Sequence, residues 1–217
     1  MATRLIAIAL LFATFSAVAQ EKKYMIVFLN SKPDSEKISP EETKTIMEGH
    51  MANMARLAKE NKLLAAGPFH GGGGIFIMNS GSVSEVEEWI STDPGVQAKR
   101  WRIEILPFQP RVGGICPVGD DYEMTTYTFY RFDAVASKFT IARQSELIDS
   151  HDKYLHEIAN GGNVVTEAVF GPRDGGILIL KGEVDADLMN TDPAVEAGLV
   201  EVQRKNLYIA KGSFCEE

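Results

Sequence analysis

The sequence repeats itself once, and this repeat constrains the fold more than any other feature. Apolar residues and one histidine lie at helical spacing near residue 50, and adding 101 to each position finds a matching stripe. A strand pattern at 73–78 recurs at 175–180, and Thr92-Asp93-Pro94 recurs as Thr191-Asp192-Pro193. Because the matched features keep their order, we interpret the chain as two copies of one unit.

Each copy has the pattern of a βαββαβ unit. The first unit covers residues 23–110 and the second unit covers residues 124–212, with a Pro- and Gly-containing linker at 111–123 between them. In the first unit we predict strands at 24–30, 63–66, 74–78 and 101–108 and helices at 40–61 and 84–91. In the second unit we predict strands at 126–132, 164–170, 176–180 and 205–210 and helices at 139–160 and 185–190. Ser39 and Pro40 supply a helix N-cap and a first helical position.

This element order predicts an α+β fold of two tandem ferredoxin-like units. Such a unit has an antiparallel sheet with both helices on one face, so the other face needs cover. The first strand is apolar on both sides, which indicates that both sheet faces are buried. We therefore expect the two sheets to pack face to face, as an intramolecular pseudo-dimeric α+β barrel in a monomeric chain. The alternative is two separate units that each dimerise with another chain.

Two paired positions are candidates for chemistry. His50 and His151 lie at matching places in the first long helix of each unit, and Asp93 and Asp192 at matching places before a proline. An aspartate within hydrogen-bond reach would fix the imidazole tautomer and stabilise its charged form, giving a group that exchanges protons near neutral pH. The alternatives are a core histidine and a helix-capping aspartate. The capping and catalytic interpretations of the aspartate are compatible.

Two further sequence features bear on a ligand site: a glycine inside the first predicted helix, and the spacing of the histidines and of a glycine run. Gly49 costs helix stability and so indicates close approach by something bulky, either a ligand or the facing sheet. The four histidines lack metal-ligand spacing, and the Gly71–Gly74 run lacks the Lys-Ser/Thr of a P-loop. We predict no metal and no cofactor.

At these residues the chain resembles the YciI-related family. The resemblance lies in the helix histidine, in the segments 63–69 and 74–77, and in Thr92-Asp93-Pro94; it covers 23–108 well and 126–210 more weakly. It implies a dimeric α+β barrel, here fused into one chain, with a His–Asp active site in a cleft at His50 with Asp93 and at His151 with Asp192. One related enzyme type removes chloride from a chlorinated hydroxyhydroquinone, and relatives of the fold isomerise muconolactones. In the second unit the Gly-Pro step matches only after a gap, so the second pocket is the more doubtful.

The N-terminus has the pattern of an export signal at residues 1–19. Arg4 precedes an apolar stretch, and Ala17-Val18-Ala19 is the small-x-small pattern of a cleavage site. We therefore expect a periplasmic or secreted protein without membrane attachment after cleavage. In that compartment Cys116 and Cys215 are able to form a disulfide, although spacing alone does not show that they meet.

Charge and composition narrow the function classes. The net charge of −8 argues against nucleic-acid binding and against docking to an anionic membrane, since both depend on clustered basic residues. The remaining hypotheses are a cofactor-free acid–base enzyme that eliminates, dehalogenates or isomerises a small organic compound, a small-molecule-binding protein, and a structural or interaction module.

Overall fold

The computed structural model describes residues 23–119, 121–135, 139–172 and 174–216. The predicted signal peptide lies outside the described residues. In the first unit the elements are β1 (Tyr24–Ser31), α1 (Pro40–Lys59), β2 (Leu63–Pro68), β3 (Gly74–Met78), α2 (Val83–Ile90), α3 (Pro94–Gln97) and β4 (Trp101–Val112). In the second unit they are β5 (Met124–Ala134), α4 (Ile141–Ala159), β6 (Val164–Val169), β7 (Gly176–Leu180), a 3-10 turn (Leu188–Thr191), α5 (Pro193–Glu196) and β8 (Val200–Ala210).

Local chemistry explains where the helices begin. The Ser39 hydroxyl accepts a hydrogen bond from the backbone N–H of Glu42 at 3.1 Å, with Pro40 at the first helical position, as predicted. The helix predicted at 185–190 is instead a short 3-10 turn. The Asp185 carboxylate accepts from the backbone N–H of Asp187 at 2.9 Å, and this local turn competes with an α-helix there.

All eight strands join in one antiparallel sheet with the order β2-β3-β1-β4-β6-β7-β5-β8. The first unit joins the second where β4 pairs with β6. At the other end, Phe69 forms a bridge with Leu207, and the backbone N–H of His70 donates to the carbonyl of Asn206 at 2.9 Å. The sheet therefore closes on itself, and the predicted α+β barrel of two ferredoxin-like units is confirmed. The alternative of two separate units is wrong for this chain.

The largest core lies inside the closed sheet and takes side chains from both units. Phe28 of the first unit meets Phe129 and Phe170 of the second edge-on, with ring centroids 6.3 and 5.9 Å apart. One smaller core lies under the helices of each unit. Burying a side chain of this size stabilises the fold by roughly 1.5–3 kcal/mol, so the shared core binds the units together.

A charged residue interrupts this shared core. Arg131 lies at the register position that Phe28 occupies in the first unit, and its guanidinium lies 4.3 Å from the Phe28 ring centroid. It donates to both carboxylate oxygens of Glu104, at 2.7 and 2.8 Å. A partly buried ion pair thus crosses from one unit to the other.

The junction between the units has two notable features. Strand β4 runs on to Val112, two residues beyond the predicted end of the first unit, because its end pairs with β6. Cys116 forms a disulfide with Cys215, with Cα atoms 5.0 Å apart, as the sequence allowed.

Across the described part of the chain, no helix combines the length and the apolar character that a membrane span requires.

Candidate functional site

The first predicted pair is in contact. The imidazole Nδ1 of His50, on α1, lies 2.8 Å from Oδ2 of Asp93, and both residues are buried. The other carboxylate oxygen of Asp93 accepts from the backbone N–H groups of Gly95 and Val96, at 2.8 and 3.2 Å. Asp93 is therefore both the N-cap of α3 and the hydrogen-bond partner of His50, so capping does not prevent its contact with the imidazole.

The second predicted pair has the same arrangement. The Nδ1 of His151, on α4, hydrogen-bonds to Oδ2 of Asp192. The Oδ1 of Asp192 accepts from the backbone N–H groups of Ala194 and Val195, at 2.8 and 3.4 Å. Because a carboxylate only accepts hydrogen bonds, Nδ1 carries the proton in each pair and Nε2 is the nitrogen left to act as a base.

Close packing of α1 against α3 brings Asp93 to His50 in the first unit. A Cβ atom added at Gly49 would lie 2.8 Å from Cγ of Pro94. The bulky group that Gly49 accommodates is thus the ring of Pro94, and neither a ligand nor the facing sheet. Because Pro94 follows Asp93 directly, this contact also sets the distance between α1 and the carboxylate.

The first pair carries extra hydrogen bonds. Asn53 donates to Oδ2 of Asp93 at 3.2 Å, on the same oxygen that His50 contacts. Burial opposes ionisation of Asp93, but the hydrogen bond and charge of His50 outweigh it and hold the pKa of this carboxyl below its usual range. In the second unit the residue at the position of Asn53 is Tyr154, whose hydroxyl bonds to the backbone of Leu188 instead.

A cavity of about 180 Å³ lies beside the second pair. His151 lines it together with an apolar wall and a charged wall. The apolar wall includes Phe132, Ile148, Leu155, Val169 and Val200. An engineered cavity of about 150 Å³ holds a benzene molecule, so this space accommodates a small organic compound of single-ring size.

The charged wall consists of Arg111, Glu167 and Asp152. Arg111 comes from the end of β4 and reaches into the cavity of the second unit, where its Nε donates to both oxygens of Glu167 at 3.0 and 2.9 Å. Its Nη2 also donates to Glu167, at 2.6 Å, and to Asp152, at 2.9 Å. The hydrogen bonds to Glu167 hold the pKa of Arg111 above its usual range.

The first unit has no counterpart of this charged wall. The register of β2 with β3 and of β6 with β7 matches Glu167 to Ala66. Asp152 follows His151 as Met51 follows His50, and the strand register matches Arg111 to Ala210. The three charged residues beside the second pair therefore have apolar counterparts beside the first pair, namely Met51, Ala66 and Ala210.

An indole ring occupies the corresponding place in the first unit. Trp101 and Val200 begin the last strands of the two units, opposite Ser31 and Ala134 respectively. The Trp101 ring lies against His50, with centroids 4.9 Å apart, whereas Val200 lines the cavity beside His151. The groove next to Trp101 is lined by residues 31–34, 99, 101 and 102, and His50 is not among them.

The packing of Trp101 explains a second difference between the units. A Cβ atom added at Gly95 would lie 2.3 Å from the Trp101 indole, so no side chain fits there. The corresponding residue in the second unit is Ala194, where valine replaces the indole. Each unit therefore carries a matched pair, Gly95 with Trp101 and Ala194 with Val200.

Sequence reasoning found the four residues of the two pairs but missed the residues that distinguish them. It also judged the second pocket to be the more doubtful, because the Gly-Pro step of the second unit matched that of the first unit only after a gap. In the structure Phe69 corresponds to Phe170, because each donates its backbone N–H to a glycine carbonyl across the turn that follows, Gly73 and Gly175 respectively. Strands β2 and β6 therefore align without a gap. The extra residue lies in the loop after Phe170. Aligning the units position by position would have exposed the exchange of Trp101 for Val200.

No cluster of three or more His, Cys, Asp or Glu side chains with metal-binding geometry occurs among the residues that the structure describes. The hydrogen-bonding and charged groups at the cavity are His151 with Asp192 and the three residues of the charged wall. These groups are suited to proton transfer and to binding a polar substituent.

Comparisons with known proteins agree with the fold. Residues 23–109 match the family model of the YCII-related domain. A structure from Fusobacterium nucleatum subsp. nucleatum, provisionally described as a monooxygenase, is 10% identical with a TM-score of 0.50, over 88% of this chain and 93% of that one. Another, provisionally described as a chlorite dismutase, is 8% identical with a TM-score of 0.51, over 87% of this chain and 94% of that one. At such identities these similarities show the fold alone. No curated protein is a significant match.

Proposed function

We propose that the protein is a cofactor-free enzyme that moves a proton on a small organic compound, using His151 in the cavity of the second unit. The observation that supports this most is the position of one imidazole between a carboxylate and a cavity. Nδ1 of His151 bonds to Asp192, and His151 also lines the space of about 180 Å³. The YCII-related match of residues 23–109 is compatible with a binding or enzymatic role for the fold, and because it covers the first unit it does not bear on the choice of the second cavity.

The chemistry follows from the two ring nitrogens. Nε2 of His151 takes a proton from a substrate carbon, and Asp192 stabilises the imidazolium that forms. Two backbone N–H groups hold the other oxygen of Asp192, so the carboxylate stays oriented during the transfer. In an isomerisation the proton returns to a different carbon. In an elimination the C–H electron pair forms the new double bond as a halide leaves.

We assign a structural role to the first pair. The Trp101 indole contacts the His50 ring where the second unit has its cavity, and Asn53 shares the oxygen of Asp93 that His50 uses. Both imidazoles are equally buried, with 9% of each side chain exposed, so exposure does not separate them. The residues that contact each imidazole distinguish the two pairs.

We also propose that the protein acts outside the cytoplasm. The Cys116–Cys215 disulfide supports this, because disulfides persist in oxidising compartments. The pattern of residues 1–19 supports it independently.

The test is solvent exchange in heavy water. A panel of monocyclic lactones and cyclic β-halo ketones, which carry a C–H acidified by a carbonyl, is incubated with the full chain, and deuterium incorporation and halide release are followed by NMR and ion chromatography. His151→Asn lowers the rate about 100-fold or more, whereas the matched variant His50→Asn stays within about twofold. Asparagine keeps a donor toward the aspartate, so folding is preserved. Binding that weakens in His151→Asn without any turnover would indicate a binding protein, and turnover that does not depend on His151 would overturn the proposal.

A further inference from the structure

Arg111 is the only lysine or arginine among the described residues that line the cavity. It lies outside the unit that holds the cavity, at the end of β4, and its counterpart Ala210 carries no charge. In the β4–β6 pairing it lies at a register shift, between Pro110 opposite Ala168 and Val112 opposite Glu167, and its side chain bonds to Glu167. The charged group thus reaches the second cavity only because the two units pack together.

Glu167 fixes the orientation of this guanidinium. Three hydrogen bonds, from Nε and Nη2, join Arg111 to a carboxylate whose side chain is only 6% exposed. A carboxylate held along one edge of a guanidinium leaves the remaining donors on the opposite edge. No hydrogen bond involves Nη1 of Arg111 within the described part of the chain. Glu167 therefore presents the outer edge of Arg111, Nη1 and Nη2, to other acceptors.

Asp152 already occupies part of that outer edge. Its Oδ1 accepts from Nη2 of Arg111 at 2.9 Å, and its side chain is 43% exposed. An exposed ion pair of this kind contributes little to stability, so the Asp152 carboxylate leaves Arg111 and returns to water at a small cost in free energy. Asp152 is therefore the partner of Arg111 that a ligand displaces most easily.

We infer that Arg111 anchors the carboxylate of a small anionic ligand in this cavity, and that Asp152 competes for the same guanidinium edge. The body of the ligand then lies against the apolar wall, beside His151. Glu167 does not repel the ligand strongly, because Arg111 offsets its charge through three hydrogen bonds. This inference deepens the proposed function, since it names the ligand chemistry of the same site.

The arrangement makes opposite predictions for the two acidic partners of Arg111. Removing the charge of Asp152 frees the outer edge and removes a repelling anion, so a carboxylate binds more tightly. Removing Arg111 eliminates the anchor. Because Arg111→Gln alone would leave Glu167 buried without its cation, the double variant Arg111→Gln with Glu167→Gln is the safer test.

The experiment is calorimetric titration of the full chain with three probes of one size: benzoate, benzamide and benzylamine. Binding of the probe is measured without turnover, so this test is independent of the test of the proposed function. Benzoate binds best, Asp152→Asn tightens it about two- to fivefold, and the double glutamine variant weakens it about tenfold or more, with unchanged thermal unfolding. His151→Asn leaves a measurable affinity for benzoate.

Three outcomes would overturn the inference. They are preferential binding of benzylamine, benzoate affinity that is the same in the folded double variant, and no benzoate binding in the millimolar range. Arg56→Gln is the matched control, because Arg56 lies on α1 among hydrogen-bonded side chains of the first unit and does not line the cavity.

Discussion

The indole of Trp101 lies against the imidazole of His50, with ring centroids 4.9 Å apart and planes tilted by 46°. At the same position the second unit has Val200, which borders a cavity beside His151. The two units therefore share a fold and a His–Asp pair but differ in what contacts the histidine. One side chain fills the space in the first unit, and the space remains open in the second.

Replacing Gly95 by alanine has opposite effects in two backgrounds. In the natural chain Gly95→Ala is destabilising, because the new methyl group would lie 2.3 Å from the Trp101 indole. In a Trp101→Val background the same change is stabilising by about 1 kcal/mol, since it fills part of the space and improves helix propensity. Urea unfolding of the four chains measures both values and their coupling.

Trp101→Val alone costs about 2–4 kcal/mol, because it leaves a cavity where a large ring was packed. The corresponding pair in the second unit provides the control: Ala194→Gly has no indole to relieve and is destabilising. If Gly95→Ala had the same sign with and without Trp101, the matched-pair interpretation would be wrong.

The disulfide stabilises the closed barrel. Cys116 and Cys215 are 99 residues apart, so reducing the bond restores the freedom of a long loop in the unfolded chain. The chain-entropy model gives about 4.7 kcal/mol for a loop of this length, and native bonds typically contribute 2–5 kcal/mol. We expect the double Cys→Ala variant to unfold at a lower urea concentration by roughly this energy, and added reductant to affect only the natural chain. Equal stability of the two chains would contradict this.

Stability in acid depends on Asp93. Its pKa is held below the usual range by His50 in spite of burial, so its contribution is present above the unfolded pKa near 3.8 and is lost as pH falls through the folded pKa. Asp93→Asn therefore flattens the acid side of the stability curve. Guanidinium unfolding at a series of pH values below about 5 measures the slope. Asp34→Asn is an exposed control, and an unchanged slope in Asp93→Asn would contradict the assignment.

Much of the fold could be predicted from the sequence, because the two halves of the chain can be compared with each other. Matching stripes of apolar residues gave the element order, and strands apolar on both faces indicated that two sheets cover each other. The recurrence singled out His50 and Asp93, and the resemblance to the YciI-related family implied that they pair, but the sequence alone did not show that the two residues touch.

The charged wall was not predictable in this way, because it depends on strand pairing between the units. Arg111 falls in a segment rich in Pro and Gly that has the composition of a linker. Only the pairing of β4 with β6 makes this segment a strand and brings the Arg111 side chain to Glu167. The length of β4 is set by that tertiary contact and not by local propensity. The role of Trp101 likewise depends on packing that periodicity does not describe.

The most direct test of the account is a reciprocal exchange of the two residues that distinguish the units, measured by deuterium incorporation in the same substrate panel. Val200→Trp, combined with Ala194→Gly to give the indole the room it has beside Gly95, fills the second cavity. We predict that this chain folds and loses proton transfer about 100-fold or more, whereas Trp101→Val retains it within about twofold. Undiminished proton transfer with the second cavity filled, or its loss in Trp101→Val, would contradict the assignment of the site to the second unit.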